Sequence, residues 1–154
     1  MPIADAARDL DDPSTLYERD FTLWCTRQAE LLRLRRFGEA DLPNIVEELE
    51  GMGSALRASL RSSYRLLAHL LTWQYQPAMR SASWEIAINR ERDHIEDIEA
   101  DNRSLKAAAA KFVAEAYRKT RKEAQVGTKL PLSTFPPQIP YTLDQLRDDE
   151  WLPA

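Results

Sequence analysis

The chain has 154 residues, of which 44% are hydrophobic and 30% charged, and its formal net charge at pH 7 is -4. This length and balance fit one globular domain with a buried core and exclude a wholly disordered chain. Four glycines are too few for a glycine-rich phosphate loop or a dinucleotide-binding turn. One cysteine and two histidines can form neither an internal disulfide nor a zinc site of the usual kind.

The N-terminus is acidic and does not resemble a targeting segment. Residues 1–13 lack the cationic start and the apolar run of a secretory signal. No stretch of the sequence approaches the ~20 apolar residues that cross a membrane. We therefore expect a cytoplasmic protein with no membrane association and a flexible terminus over residues 1–13. The sequence predicts no cofactor and no metal site.

The first periodic segment predicts a helix that begins at the Thr15–Glu18 capping box. Apolar residues such as Phe21 and Trp24 follow at helical spacing. The helix is expected to end near Gly38, because glycine readily takes the left-handed conformation that closes a helix. Cys25 has no base or cation at helical spacing, so we expect a buried structural thiol.

The second segment carries the longest apolar pattern of the chain. Asp41 is a suitable N-cap, and the pattern then continues without a phase shift to about Tyr75. We predict one continuous helix, bent if anywhere at Gly51 and Gly53, which Pro77 ends. Such a helix would be longer than its neighbours can cover, so it should leave an apolar ridge for a partner or a second copy.

The third helix is predicted to open near Ser81 or Ser83, and its apolar seam places a carboxylate among apolar residues. The seam consists of Trp84, Ile88, Glu91, Ile95 and Ile98. A buried carboxylate costs several kcal/mol unless it is paired. We expect Glu91 either to pair with Arg61 or Arg65 or to lie close enough to the surface to reach water.

The fourth helix is predicted from about Ser104 to Gln125, with Gly127 as its terminator. The basic run Arg118–Lys122 near its end could bind phosphate groups. The negative net charge and the favourable position of cations at a helix C-terminus offer a simpler explanation. We do not expect nucleic acid as a partner.

Residues 127–154 are rich in proline but too apolar for a free linker, so we expect this tail to pack across the helices. A second capping box at Thr142–Gln145 predicts a short final helix to about Asp149. The predicted fold is all-α. It is an antiparallel four-helix-type bundle over residues 14–126, with one long helix, a proline-rich tail and a short fifth helix.

Several short motifs recur in one order along the chain. They are Leu16-Tyr17-Glu18, Asp20-Phe21, Trp24, Glu47-Glu48-Leu49-Glu50, Met52-Gly53, His69-Leu70-Leu71, Trp73-Gln74, Ser83-Trp84, Ser104-Leu105, Phe135-Pro136 and Pro140-Tyr141-Thr142-Leu143. In this combination the sequence resembles the bacterial domain of unknown function family twenty-nine, from about Leu16 to Pro153. The resemblance implies an all-helical fold and no assigned activity.

The polar residues of the middle helices form the candidate site. A polar cleft where these helices meet would contain His69, Trp73, Trp84, Glu91 and Arg92. On a continuous helix, Glu47 lies about 33 Å from His69 and cannot share a metal ion with it. The spacing of Glu91 and His94 matches half of a di-iron motif, but the second half is missing.

No motif in the sequence supplies an activated nucleophile, an oriented base or a cofactor loop. The sequence therefore favours a small helical interaction or regulatory module with a protein partner or a second copy of itself. The alternative is an enzyme or ligand-binding protein that uses the polar cleft around His69, Trp84 and Arg92. Whether the protein is an enzyme stays open at this point.

Overall fold

The computed structural model describes residues 13–154, with side chains from Leu16 onward. Of the flexible terminus predicted for residues 1–13, residues 1–12 lie outside the described residues, whereas Pro13 belongs to a helix. The capping role predicted for the Thr15 side chain lies outside the described side chains. Within them the structure is all-helical and contains no strand, so the predicted all-α class is confirmed. The helices are α1 (Pro13–Arg19), α2 (Phe21–Arg33), α3 (Leu42–Ser63), α4 (Leu66–Tyr75), α5 (Ala82–Asp101), α6 (Arg103–Ala107), α7 (Ala109–Thr128) and α8 (Leu143–Arg147).

The chain forms two compact units, one that ends at Ser54 and one over Ala55–Ala154. In the first unit, the predicted single helix is divided at Asp20, whose side chain accepts a hydrogen bond from the Leu23 backbone N–H at 3.0 Å and so caps α2. The buried face of α2 consists of Trp24, Gln28 and Leu31. The prediction that Cys25 is buried is wrong: it lies one position beyond Trp24, about 100° around the helix, and is exposed.

Arg35, and not Gly38, closes α2. Arg35 has φ = 58°, and the backbone N–H of Arg36 donates to the Leu31 carbonyl at 2.9 Å. The N–H of Arg35 donates to Leu32 at 3.1 Å, which completes a Schellman motif. The predicted end near Gly38 is wrong because the hydrogen-bonding pattern is completed three residues earlier, in spite of the Cβ of Arg35.

Helix α3 begins as predicted, since the Asp41 carboxylate accepts from the Asn44 side chain at 2.8 Å and from its backbone N–H at 3.5 Å. It runs through Gly51 and Gly53 without a break. The predicted continuous helix to Tyr75 is interrupted at residues 64–65 instead, where the hydrogen bonds shorten to three-residue spacing. Ser63 contributes to this change, because its hydroxyl donates to the Ser59 carbonyl at 3.1 Å.

Helices α4, α5 and α7 supply most of the core of the second unit. Helix α5 begins after Ser81, as predicted, whereas the predicted fourth helix is divided at Ala108 into α6 and α7. The tail after α7 contributes Phe135, Tyr141 and Leu146 to the same buried cluster. Two tail contacts are specific hydrogen bonds: Tyr141 Oη donates to Gln74 Oε1 at 2.7 Å, and Tyr117 Oη donates to the Pro136 carbonyl at 2.7 Å.

Helix α8 carries the predicted capping box. The Gln145 backbone N–H donates to Thr142 Oγ1 at 3.2 Å, and the Thr142 N–H donates to Gln145 Oε1 at 2.9 Å. The helix ends at Arg147, two residues before the predicted end. The capping box is confirmed because it depends only on residues three apart in sequence.

Helix α7 also ends without the glycine that was expected to close it. Gly127 lies inside the helix, and Lys129 takes the left-handed conformation with φ = 59°. A Cβ on Gly127 would meet no atom within 4 Å. We therefore expect Gly127→Ala to raise the free energy of unfolding by about 1 kcal/mol, measured by urea denaturation, because alanine is the better helix former. Lys129→Gly should also stabilise, and a loss of stability with either substitution would contradict this description of the helix end.

Candidate functional site

Helices α4 and α5 place His69 and Glu91 close enough for the charge of Glu91 to influence the imidazole. The imidazole of His69 is half-buried, and this desolvation lowers its pKa below the ordinary value of 6.5. The negative charge of Glu91 opposes the shift, whereas Arg65 and Arg90 add to it. Glu91 forms an ion pair with the adjacent Arg90, with N···O at 3.7 Å. Arg61, one of its two expected partners, pairs with Glu115 instead.

The two tryptophans predicted for the cleft are both half-buried. Trp73 packs against the core of the second unit, and the guanidinium of Arg80 lies 5.1 Å from its ring centroid. The Arg80 Nε also donates to the Trp73 carbonyl at 3.0 Å, so Arg80 covers the end of α4. Trp84 lies in the first turn of α5, where its backbone N–H donates to Ser81 at 3.1 Å. The Trp73 ring is therefore covered by Arg80, whereas the contact of Trp84 involves its backbone.

Arg92 is directed at the C-terminal tail. Its side chain is buried, and its N–H groups donate to four backbone carbonyls, those of Leu146 at 3.1 Å, Gln145 at 3.2 Å, Trp151 at 2.7 Å and Asp149 at 3.5 Å. Burial lowers its pKa, against the opposing charges of nearby aspartates. The carbonyls of Gln145 and Leu146 belong to the last turn of α8, where no helical N–H is available to them. In this arrangement Arg92 anchors the tail.

The sequence interpretation missed the most buried carboxylate, Glu99. Its side chain is 4% exposed and receives two hydrogen bonds from Arg147, each at 2.9 Å. The hydroxyl of Tyr64 donates to the same carboxylate at 3.4 Å. The spacing of Ile88, Arg92, Ile95 and Glu99, four, three and four residues, was the available signal. The buried face of α5 keeps Ile88, Ile95 and Ile98 of the predicted seam and adds Arg92 and Glu99.

The remaining metal-ligand candidates lie apart. Both ring nitrogens of His94 lie near serine hydroxyls, Nε2 at 3.3 Å from Ser59 Oγ and Nδ1 at 3.2 Å from Ser63 Oγ. Glu48 accepts a hydrogen bond from the Tyr17 hydroxyl, and this bond is the main cause that raises the pKa of Tyr17 to about 12. In the part of the chain that the structure describes, no three histidine, cysteine, aspartate or glutamate side chains are placed to hold a metal ion.

The first unit exposes an unusual set of large apolar side chains on α3. We call Leu42, Val46, Leu49 and Met52 the apolar stripe, because their spacing of four, three and three residues places them along one side of the helix. They are 43%, 52%, 60% and 57% exposed, respectively. Exposed apolar side chains that are contiguous on one face are typical of a binding surface, whereas scattered ones are not.

The lowered pKa of His69 predicts how stability depends on pH. Because protonation is less favourable in the folded state than in the unfolded state, the unfolded chain binds more protons as the pH falls below 6.5. The contribution of His69 to stability is therefore complete above that pH and is lost progressively below it. We expect wild type to lose more stability than His69→Gln between about pH 7.5 and pH 5.5 in urea denaturation. Equal losses in the two proteins would contradict the burial of a neutral imidazole.

No helix in the described range is both long enough and apolar enough to span a membrane. Comparison with protein-family models gives a match to the family described as Domain of unknown function DUF29, over residues 16–152. Comparisons with curated proteins and with solved structures give no match. The matched residues include nearly the whole chain and all the helices from α2 to α8. The chain therefore belongs to the DUF29 family of domains of unknown function.

Proposed function

We propose that this protein is a helical interaction module whose apolar stripe on α3 binds a basic amphipathic helix of a partner protein. The observation that carries the proposal is the exposure of the four stripe residues. An amphipathic helix that binds an apolar surface uses anchors spaced three and four residues apart, and the stripe has the same spacing. Burial of these side chains by a partner would be favourable at about 25 cal/mol per Å² of apolar surface.

The small core that the described residues of the first unit form supports this role. The buried apolar residues of α1 and α2 are Leu16, Trp24 and Leu31, whereas Phe21 and Leu23 on the same helices are about half exposed. A unit that buries few apolar side chains of its own gains more from a partner than a unit with a complete core.

Charge around the stripe favours a basic partner. Glu47 and Glu50 are exposed on α3 beside the stripe, and Glu48 is held near them by Tyr17. Residues 42–56 contain these three glutamates and no lysine or arginine. Lysine or arginine side chains on the polar face of a partner helix would therefore be attracted, and acidic ones repelled.

The proposal is tested by titrating the full-length protein with a synthetic 18-residue amphipathic helix of leucine and lysine and with a matched peptide of leucine and glutamate. We expect the basic peptide to bind, the acidic peptide not to bind, and Leu49→Asp to weaken binding by about tenfold or more. Ile86→Asp is the matched control, since Ile86 is 67% exposed on α5 outside the stripe. It should leave binding unchanged.

Three results would overturn the proposal: binding of both peptides alike, binding that Leu49→Asp leaves intact, or no binding of the basic peptide. Sedimentation of the protein alone could give a fourth such result. If the free protein is a dimer that Leu49→Asp dissociates, the stripe is covered by a second copy and not by a basic partner helix.

We also propose that the protein is located in the cytoplasm. The chain has one cysteine, and Cys25 is free and exposed. An exposed thiol without a disulfide partner is typical of proteins in a reducing compartment.

The alternative, a ligand-binding or catalytic cleft around His69, Trp84 and Arg92, is supported by the half-buried, neutral His69 beside Glu91. A crystal structure of protein purified without chelator, with anomalous scattering data, tests it. Density for an ion or a small molecule between His69 and Glu91 would favour this alternative, and a site filled by water alone would count against it.

A further inference from the structure

A second feature of the molecule lies far from the stripe in sequence, where α7 meets the tail of the second unit. A cavity of about 380 Å³ opens there, within the size range of small-molecule sites. One side is formed by Tyr117, Arg118, Arg121 and Lys122 of α7, and the other by Leu132 and Pro137 of the tail. The lining includes three cationic side chains and no acidic one.

Two of these cations are uncompensated. Arg118 and Lys122 are exposed, and neither forms an ion pair with any residue that the structure describes. Elsewhere in the described residues, ion pairs with carboxylates are formed by Arg36, Arg61, Arg90 and Arg147. Together with Arg121, Arg118 and Lys122 form a cluster of three cations around a cavity that no carboxylate lines, on a chain with a net charge of -4. It attracts an anion to this cavity.

The walls of the cavity are held in place before any ligand arrives. Arg121 Nε donates to the Phe135 carbonyl at 3.1 Å, and its Nη2 donates to Phe135 at 2.7 Å and to Leu132 at 3.0 Å. Tyr117 fixes the next residue, Pro136, through its hydroxyl. Arg121 therefore positions the tail wall and leaves Arg118 and Lys122, one helical turn apart, free to bind. A pre-formed site loses less entropy when it binds.

We propose that this cavity binds a small phosphate ester, with its phosphate group held by Arg118 and Lys122 and its apolar part against Leu132 and Pro137. Arginine suits this task because its planar guanidinium can donate two parallel hydrogen bonds to phosphate oxygens. The apolar wall and the limited volume of about 380 Å³ favour a small ester over nucleic acid, which is bound by extended basic surfaces. This site is independent of the apolar stripe.

The test is a nuclear magnetic resonance titration of the full-length protein with phenyl phosphate. We expect saturable shifts in the backbone amides near residues 118–122 and 132–137. The variant with Arg118→Gln and Lys122→Gln should bind about tenfold more weakly or worse. Lys119→Gln is the matched control, because Lys119 is exposed on the same turn but lines a different cavity. It should change the affinity by less than about twofold. All three substituted side chains are exposed, so the variants should fold, which circular dichroism confirms.

Two further titrations distinguish a small phosphate ester from inorganic phosphate and from nucleic acid as the ligand. Inorganic phosphate should bind more weakly than phenyl phosphate, since it cannot use the apolar wall. Equal affinity for the two, shifts that do not saturate, or equal weakening by Lys119→Gln would overturn the proposal. A single-stranded oligonucleotide that binds more tightly than phenyl phosphate, at matched phosphate concentration, would overturn it in favour of nucleic acid.

Discussion

Replacing Arg147 with methionine is expected to destabilise the protein by about 3–5 kcal/mol, because it leaves the buried carboxylate of Glu99 without its cation. Glu99 is 4% exposed, whereas the Arg147 side chain is 29% exposed. The two partners are therefore not equivalent. Glu99→Gln leaves Arg147 unpaired but able to reach water. This substitution should therefore lower the free energy of unfolding by roughly 1–3 kcal/mol. Urea denaturation of both single variants measures the difference.

The double variant Glu99→Leu with Arg147→Met removes both charges and should recover most of the stability lost by Arg147→Met, since no unpaired charge stays buried. Arg36→Met is the matched control. It breaks an ion pair with Glu39 whose partners are 52% and 56% exposed, and such solvent-exposed pairs contribute little to stability. If Arg147→Met costs no more than Arg36→Met, the pair does not stabilise the second unit as described.

Arg92→Met is expected to cost about 3 kcal/mol and to release the tail, because buried and partly buried carbonyls of residues 145–151 lose their donors together. Hydrogen exchange of α8 should increase much more than that of α4, which Arg92 does not contact through a hydrogen bond in the described structure. Arg92→Lys should restore only part of the loss, since one ammonium group cannot reach all the carbonyls that the guanidinium reaches.

Glu96→Gln is a suitable comparison for Arg92→Met, because Glu96 lies on the same helix and is exposed. It should change neither stability nor exchange by a measurable amount. Full recovery of stability and exchange protection by Arg92→Lys would show that the charge alone, and not the geometry of the guanidinium, anchors the tail.

The phase of α5 shows how far the sequence could predict the polar site. The predicted seam and the observed buried face share Ile88, Ile95 and Ile98, so apolar periodicity alone supports both phases. What selects the observed phase is the tail, which supplies carbonyls for Arg92 and a guanidinium for Glu99 from about 50 residues away. Such partners cannot be read from local spacing, and for that reason Glu91 was chosen and Glu99 was missed.

Helix ends show a similar limit. The capping box of α8 and the Asp41 cap were predictable because each depends on residues three apart. The glycines near the ends of α2 and α7 were misleading: Arg35 and Lys129 take the left-handed conformation instead. Completion of the terminal hydrogen bonds outweighed the roughly 1–2 kcal/mol by which a side chain disfavours that conformation.

The exposed side of α3 was foreseen from the long apolar pattern, but for a different reason from the one the structure gives. The expectation was that the helix would be too long for its neighbours. Helix α3 instead ends at Ser63, and the four side chains of the apolar stripe lie in its first half, in the unit that ends at Ser54. The described residues of that unit bury few apolar side chains, which sequence periodicity does not report, and this accounts for the exposure.

The role of the stripe is tested most directly by mapping where the basic amphipathic peptide binds, using methyl resonances of the full-length protein. We expect the largest shifts at Leu42, Val46 and Leu49, with smaller shifts for the buried leucines of α4. The same titration with Leu49→Asp should give no saturable shifts. Saturable shifts centred on α5 or α7, or a wild-type spectrum unchanged by the peptide, would contradict the proposal that this surface of α3 is the binding site.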